Sequence, residues 1–272
     1  MKFYFFSAVV LLGFLTFSTP TLAQTTWVVD HAGSGNFLTI QEGIDAASNG
    51  DLVLVRPGIY FENLNFSGKL VHVRSDGDGD PGTYDLSPAI TIIDGNGTGS
   101  VVTFESGEDE TAALEGFTIR NGRGTYVEFS PGYWSFCGAG VLCENSSPTI
   151  RNCDITGNLA DVFEGDGGGV CCLFASPTIT DCTITDNATS PYFASQWSYH
   201  GSGGGIYCRE SSPVISNCTI SGNKARSGGG IYSPASSSPT VTGCTITENE
   251  AYSDGLQAGV GSMSPCQVKL SP

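Results

Sequence analysis

Cations are scarce in this chain: 11 Lys and Arg stand against 27 Asp and Glu, for a formal net charge of −16. A surface of that sign repels phosphate backbones, so nucleic acid is not expected as a partner. Histidine is scarce as well, with three widely scattered residues, which argues against a zinc site. Long apolar runs are missing after the first twenty residues, where nothing approaches the ~18 needed for a spanning helix.

The apolar run that does exist opens the chain. Lys2 precedes a run from Phe3 to Phe17, and Thr21-Leu22-Ala23 is a small-residue cleavage site. Residues 1–23 therefore read as a secretory signal cut after Ala23, against the alternative of an uncleaved anchor. Its removal takes away one Lys and no acid, moving the net charge to −17. A secreted or cell-surface protein is expected, with no transmembrane segment after cleavage. Thirty-seven glycines with abundant Ser, Thr and Asn indicate turn-rich β structure, and residues 24–272 read as one domain.

Internal repeats organise that domain. Four eleven-residue blocks align without gaps, beginning at Pro148, Pro177, Pro213 and Pro239 and ending at Asn158, Asn187, Asn223 and Asn249. Each follows a glycine motif, at Gly138, Gly167, Gly203 and Gly228, and a weaker copy runs from Leu114 to Gly122. The offsets are 29, 36 and 26 residues, yet the block never changes length. All variation lies between the terminal Asn and the next glycine, the pattern of identical coils stacked with one corner free to bulge.

Short β-branched and Thr-rich stretches are strands whose alternation turns Ile150, Cys153 and Ile155 inward and Thr outward. The five-residue step from Ile150 to Ile155 requires a corner near Asn152, and the glycines mark another. Stacking then lines up Ile155, Ile184, Ile220 and Ile246, and likewise the four cysteines from Cys153 to Cys244. The terminal asparagines form an amide ladder. Upstream, Thr39 to Glu42 reads as a capping box on a short helix burying Ile40, Ile44 and Ala47. The expected fold is an all-β, right-handed parallel β-helix of about seven three-strand coils. Residues 24–110 form the cap and irregular coils, 111–250 the regular repeats and 251–272 a partial last coil.

The segment Gly33–Ala47 followed by Val55–Glu62 resembles the opening of pectin methylesterases and other pectate-lyase-like β-helices. The Gly-Gly-Gly-Ile and Ile-Thr-x-Asn repeats are similar to those of polymorphic outer-membrane proteins. The resemblance implies the fold; of the carbohydrate-active families' catalytic sets, none is complete. No pair of Asp with an Arg stands out as in the esterases. The polygalacturonase pattern finds only Asn152-Cys153-Asp154, one copy of the repeat, and Tyr199-His200-Gly201.

Asp76, Asp78 and Asp80 alternate with glycine as in a Ca²⁺ loop, the one cofactor suggested, but Pro81 stands where such a loop needs Gly, and a solvated acidic turn is the plainer reading. Ten cysteines in an exported chain invite disulfides. In-register thiols on parallel strands hold their Cβ atoms near ~4.8 Å, beyond the bridging range of about 3.5–4.5 Å. The columns therefore read as packed thiols, leaving Cys137, Cys171 and Cys266 as candidate bridge formers. The variable corner carries the remaining signal. Tyr133 and Trp134 lie in one insertion, Trp197, Tyr199 and His200 in another, and Asp161, Glu164 and Asp166 between them. Two readings stay open: a saccharide-binding notch lined by these aromatics above the acids, or aromatics folded back over the solenoid flank. Asp161, Glu164, Asp166 and His200 would be the catalytic candidates.

Three functions follow. A polysaccharide- or surface-glycan-binding module leads; a lyase or hydrolase on acidic polysaccharide and a structural, adhesive solenoid are the alternatives. An uncapped last coil would favour self-association, the alternative being that the chain is a fragment of a longer protein.

Overall fold

The computed structural model describes residues 23–77, 88, 90–130, 132–160, 165–189, 201–252 and 269–271. Three parallel sheets run the length of the solenoid, with nine, seven and six strands. Each block supplies one strand to the first sheet and one to the second: Thr149–Arg151 and Asp154–Thr156, for example. The glycine motif leads into the third, as at Val141–Glu144. Among the described strands every pairing is parallel except one hairpin, described below.

Register follows the repeat residue for residue. Ile155 pairs with Ile119 on one side and Ile184 on the other, and the file continues through Ile220 to Ile246. Ile119, Ile155, Ile184 and Ile220 are fully buried, while the flanking threonines keep contact with solvent. The corner needed between the two isoleucines of a block lies at Asn152, Asp181 and Asn217, with φ of 50°, 54° and 54°. Short polar side chains tolerate that left-handed region because they bond locally. Gly243 takes the same place in the last block. The second corner has Gly138, Gly167, Gly203 and Gly228 with φ between 59° and 68°.

The asparagine ladder is continuous. Backbone N–H groups of Asn158, Asn187 and Asn223 donate to the side-chain oxygens of Asn187, Asn223 and Asn249 at 3.0–3.1 Å. Each amide nitrogen also donates to a carbonyl in the rung before, as Asn187 Nδ2 does to Ile155 O at 2.8 Å. At the weaker copy the ladder closes on Gly122, whose N–H donates to Asn158 Oδ1 at 3.0 Å. Just past the ladder, Leu159–Ala160, Ala188–Thr189, Lys224–Ala225 and Glu250–Ala251 form a four-stranded parallel ribbon that the sequence did not announce. It confirms that the variable segments leave along one edge.

The helix Ile40–Ala46 caps the first coils. Thr39 and Glu42 complete the capping box, and Ile40, Ile44 and Ala47 are buried. Two further N-terminal N–H groups, of Ile40 and Gln41, donate to the Glu62 carboxylate at 2.9 and 3.0 Å, so the next coil neutralises the helix start. Lys69 Nζ donates to the Asp45 and Ala47 carbonyls at the far end, both at 2.6 Å. In the irregular coils, bulk replaces repetition: Phe66 and Phe104 pack at 4.1 Å between ring centroids, and Phe117 is likewise fully buried in the core.

Candidate functional site

Between Gly122 and Gly138 the chain forms an antiparallel hairpin, Thr125–Ser130 and Tyr133–Cys137, whose second strand pairs in parallel with Gly165–Asp166. Strand alternation gives the hairpin two faces. Val127, Phe129 and Cys137 turn inward and join Leu142, Cys171, Leu173 and Tyr207 in a second apolar core outside the solenoid wall. Arg209 places its guanidinium 4.8 Å over the Phe129 ring, and Tyr207 stacks on Tyr232 with centroids 5.7 Å apart.

The opposite face carries Tyr126, Glu128, Trp134 and Phe136. Tyr126 stacks on Trp134 with centroids 5.0 Å apart and planes 10° from parallel, and Phe136 meets Tyr126 at the same distance, tilted by 44°. Tyr126 is 54% exposed and Trp134 39%. The inner face of the hairpin thus covers the solenoid flank, while Tyr126 and Trp134 on the outer face stay in contact with solvent. Glu128 stands opposite Trp134 in register and accepts the Gly132 N–H at 3.0 Å, which tightens the turn.

Of the residues singled out from sequence, Trp134 lies on the exposed face. Tyr133 begins the second hairpin strand. Asp166 is 3% exposed and sits under the hairpin, where Ser135 Oγ donates to it at 3.3 Å and the Ser202 N–H at 3.0 Å. That burial makes it a support of the hairpin rather than the floor of an open notch. Asp161, Glu164, Trp197, Tyr199 and His200 lie outside the described residues, as do Asp78 and Asp80. Asp76 forms an ion pair with Arg56. Tyr126, Glu128 and Phe136 were not singled out, although the alternation from Thr125 to Phe129 ahead of Pro131-Gly132 is a hairpin signal.

The cysteines behave as packed thiols. Cys143, Cys172 and Cys208 stack in register, and Cys153, Cys182, Cys218 and Cys244 each donate to the carbonyl two residues earlier. Burial pushes the Cys143 thiol well up. Cys137 and Cys171, expected as bridge formers, are free, buried thiols in contact beneath the hairpin; Cys266 lies outside the described residues.

A second polar cluster occupies the outer face of the first sheet. Arg74, Glu115 and Arg151 hold successive rungs of one column. Glu115 Oε2 accepts from both His72 Nε2 and Arg151 at 2.8 Å. Burial alone would raise this carboxyl, but hydrogen bonds and charge from His72 and Arg151 outweigh it and hold the group down at about 2. A carboxylate so firmly ionised anchors two strands; it is no proton donor near neutrality.

These features define a solenoid with one grafted aromatic hairpin, and comparison places it. Residues 87–269 match the family described as right handed beta helix region, and the chain belongs to that family. The probable pectinesterase/pectinesterase inhibitor 17 of Arabidopsis thaliana is 31% identical over 167 residues, which are 54% of this chain and 30% of that protein. The chain thus spans well under half of that relative's length. Among solved structures, the pectin methylesterase from carrot aligns over 83% of this chain and 74% of its own, at 14% identity and a TM-score of 0.46. PemA from Erwinia chrysanthemi aligns over 82% and 79%, at 12% identity and a TM-score of 0.41. No described helix is long and apolar enough to cross a membrane.

Proposed function

We propose that this chain is an exported β-helix protein that binds carbohydrate through the outer face of the Thr125–Cys137 hairpin. The carrying observation is the exposed pair Trp134 and Tyr126, backed by half-buried Phe136 and fixed from below by the second apolar core. Apolar sugar faces stack on such rings, and a rigid platform loses little conformational freedom on binding. The relative named as a pectinesterase supports carbohydrate as the ligand class, and the signal-like sequence of residues 1–23 supports export. Binding is the leading reading because no carbohydrate-active family's catalytic set is complete in the sequence and, among the described residues, Glu115 is tied into ion pairs with His72 and Arg151.

The test is a Tyr126→Ala plus Trp134→Ala variant on a glycan array and in affinity gels. Removing both rings should weaken retention at least tenfold, about 1.4 kcal/mol. Losing the Tyr126–Trp134 stack should cost about 0.5–1.5 kcal/mol of stability, so far-UV circular dichroism of the variant at the assay temperature must match the parent. Undiminished retention in the double variant, or no glycan retained by the parent protein, overturns the proposal.

A further inference from the structure

We infer that the hairpin platform takes an uncharged, β-linked polysaccharide of the glucan or mannan kind and rejects polyuronates. This rests on the carbohydrate-binding reading above and adds the ligand's chemical class.

Among the described residues, the hairpin's own exposed face carries no cationic side chain to meet a sugar carboxylate. From Thr125 to Cys137 the hairpin contains no Lys, Arg or His and one acid, Glu128. That acid is on the ligand side: it is exposed, and it stands opposite Trp134 in register. Its bond from the Gly132 N–H keeps the carboxylate beside the rings. The Arg209 guanidinium lies over Phe129 on the inner face, with the hairpin between it and a ligand, and Arg123, just ahead of the hairpin, runs beside Gly97. Across the whole chain, the hairpin included, 27 acids face 11 bases.

A uronate carboxylate brought to ~6 Å from Glu128 would lose roughly 3- to 100-fold in affinity, depending on how much water remains between them. Added salt relieves that repulsion, because the screening length shrinks to ~3 Å at 1 M. Uncharged β-1,4-linked glucans and mannans carry no such penalty. Their pyranose rings present C–H groups on both faces, which suits an edge of three aromatic rings and few polar groups.

Native affinity electrophoresis of the full chain decides the matter. The gels contain hydroxyethyl cellulose, glucomannan or polygalacturonate, with EDTA throughout, at low and at high NaCl. Expected is retardation by at least one neutral polymer, equal at both salt levels, with polygalacturonate at least threefold weaker at low salt. Equal or stronger retardation by polygalacturonate overturns this inference and leaves carbohydrate binding standing. A neutral-polymer signal that collapses at high salt also overturns it, because it would be electrostatic. No retardation by any polymer refutes the carbohydrate-binding reading itself.

Discussion

Replacing Asn187 by alanine tests whether the amide ladder is a principal internal support of the solenoid. Its Nδ2 donates to Ile155 O at 2.8 Å and to Asn223 Oδ1 at 3.1 Å. Its Oδ1 accepts from the backbone N–H and from Nδ2 of Asn158, at 3.1 and 3.0 Å. Alanine removes all four bonds and leaves the buried Asn158 N–H without an acceptor. An orphaned buried donor costs about 1–3 kcal/mol, and each other lost bond adds a net ~0.5–1.5 kcal/mol with partial relaxation. With that relaxation the loss falls toward the low end of the summed range, about 3 kcal/mol, which lowers the melting temperature of a domain this size by roughly 6–12 °C. Thr185→Ala, on the outer face of the same coil, should stay within about 0.5 kcal/mol. Repeat arrays can open piecewise, so the thermal melt should be paired with hydrogen exchange at the Asn158 amide. A melt matching that of Thr185→Ala, with Asn158 protection unchanged, would refute the reasoning.

Three further outcomes follow from particular contacts. Ser233 extends the Cys143–Cys172–Cys208 file but has a buried hydroxyl with no partner, so Ser233→Ala should raise the urea midpoint by about 1 kcal/mol equivalent; a lower midpoint contradicts this. Because the Glu115 pKa is depressed to about 2, its ion pairs stabilise the fold above the unfolded-state value and lose that effect as pH falls through the folded one. Glu115→Gln should accordingly be less stable than the parent at pH 7, with the gap closing between about pH 4.5 and 2 in parallel urea melts; a gap constant with pH would rule out the linkage. Burial raises the thiols of Cys137, Cys143 and Cys171, and Cys244 alone among the described cysteines is only half-buried. Timed alkylation with mass mapping should therefore modify Cys244 before the other eight; earlier labelling of Cys153 or Cys172 would contradict the packing.

The regular coils were legible because one sequence length is invariant. A block that never gains or loses a residue between Pro148 and Asn249 fixes register, and register places Ile155, Cys153 and Asn158 in their files. The five-residue step located the Asn152 corner for the same reason: period-two alternation cannot keep both isoleucines inside. The hairpin was only half legible. Its aromatics were seen as a group, but a loop reading assigns them one fate, whereas a strand reading sends Phe129 inward and Tyr126 outward. The Glu115 cluster was not legible at all. Its partners lie 43 and 36 residues away, and the His72 contact belongs to irregular coils where no repeat announces the register. The four-stranded ribbon escaped notice because two residues per coil are too few to show a period.

The in-register stack has a bearing on how such a chain changes length. Thr178 lies beside Val214 and Thr183 beside Thr219, so the 36 residues from one to the other make a single turn of a screw thread. Cutting out that turn leaves two ends already one strand spacing apart, and the remaining thread still meshes. Gain and loss of whole turns is thereby uncoupled from changes in the side segments, which can be exchanged one at a time. The barrel of the screw and its attachments are free to have separate histories.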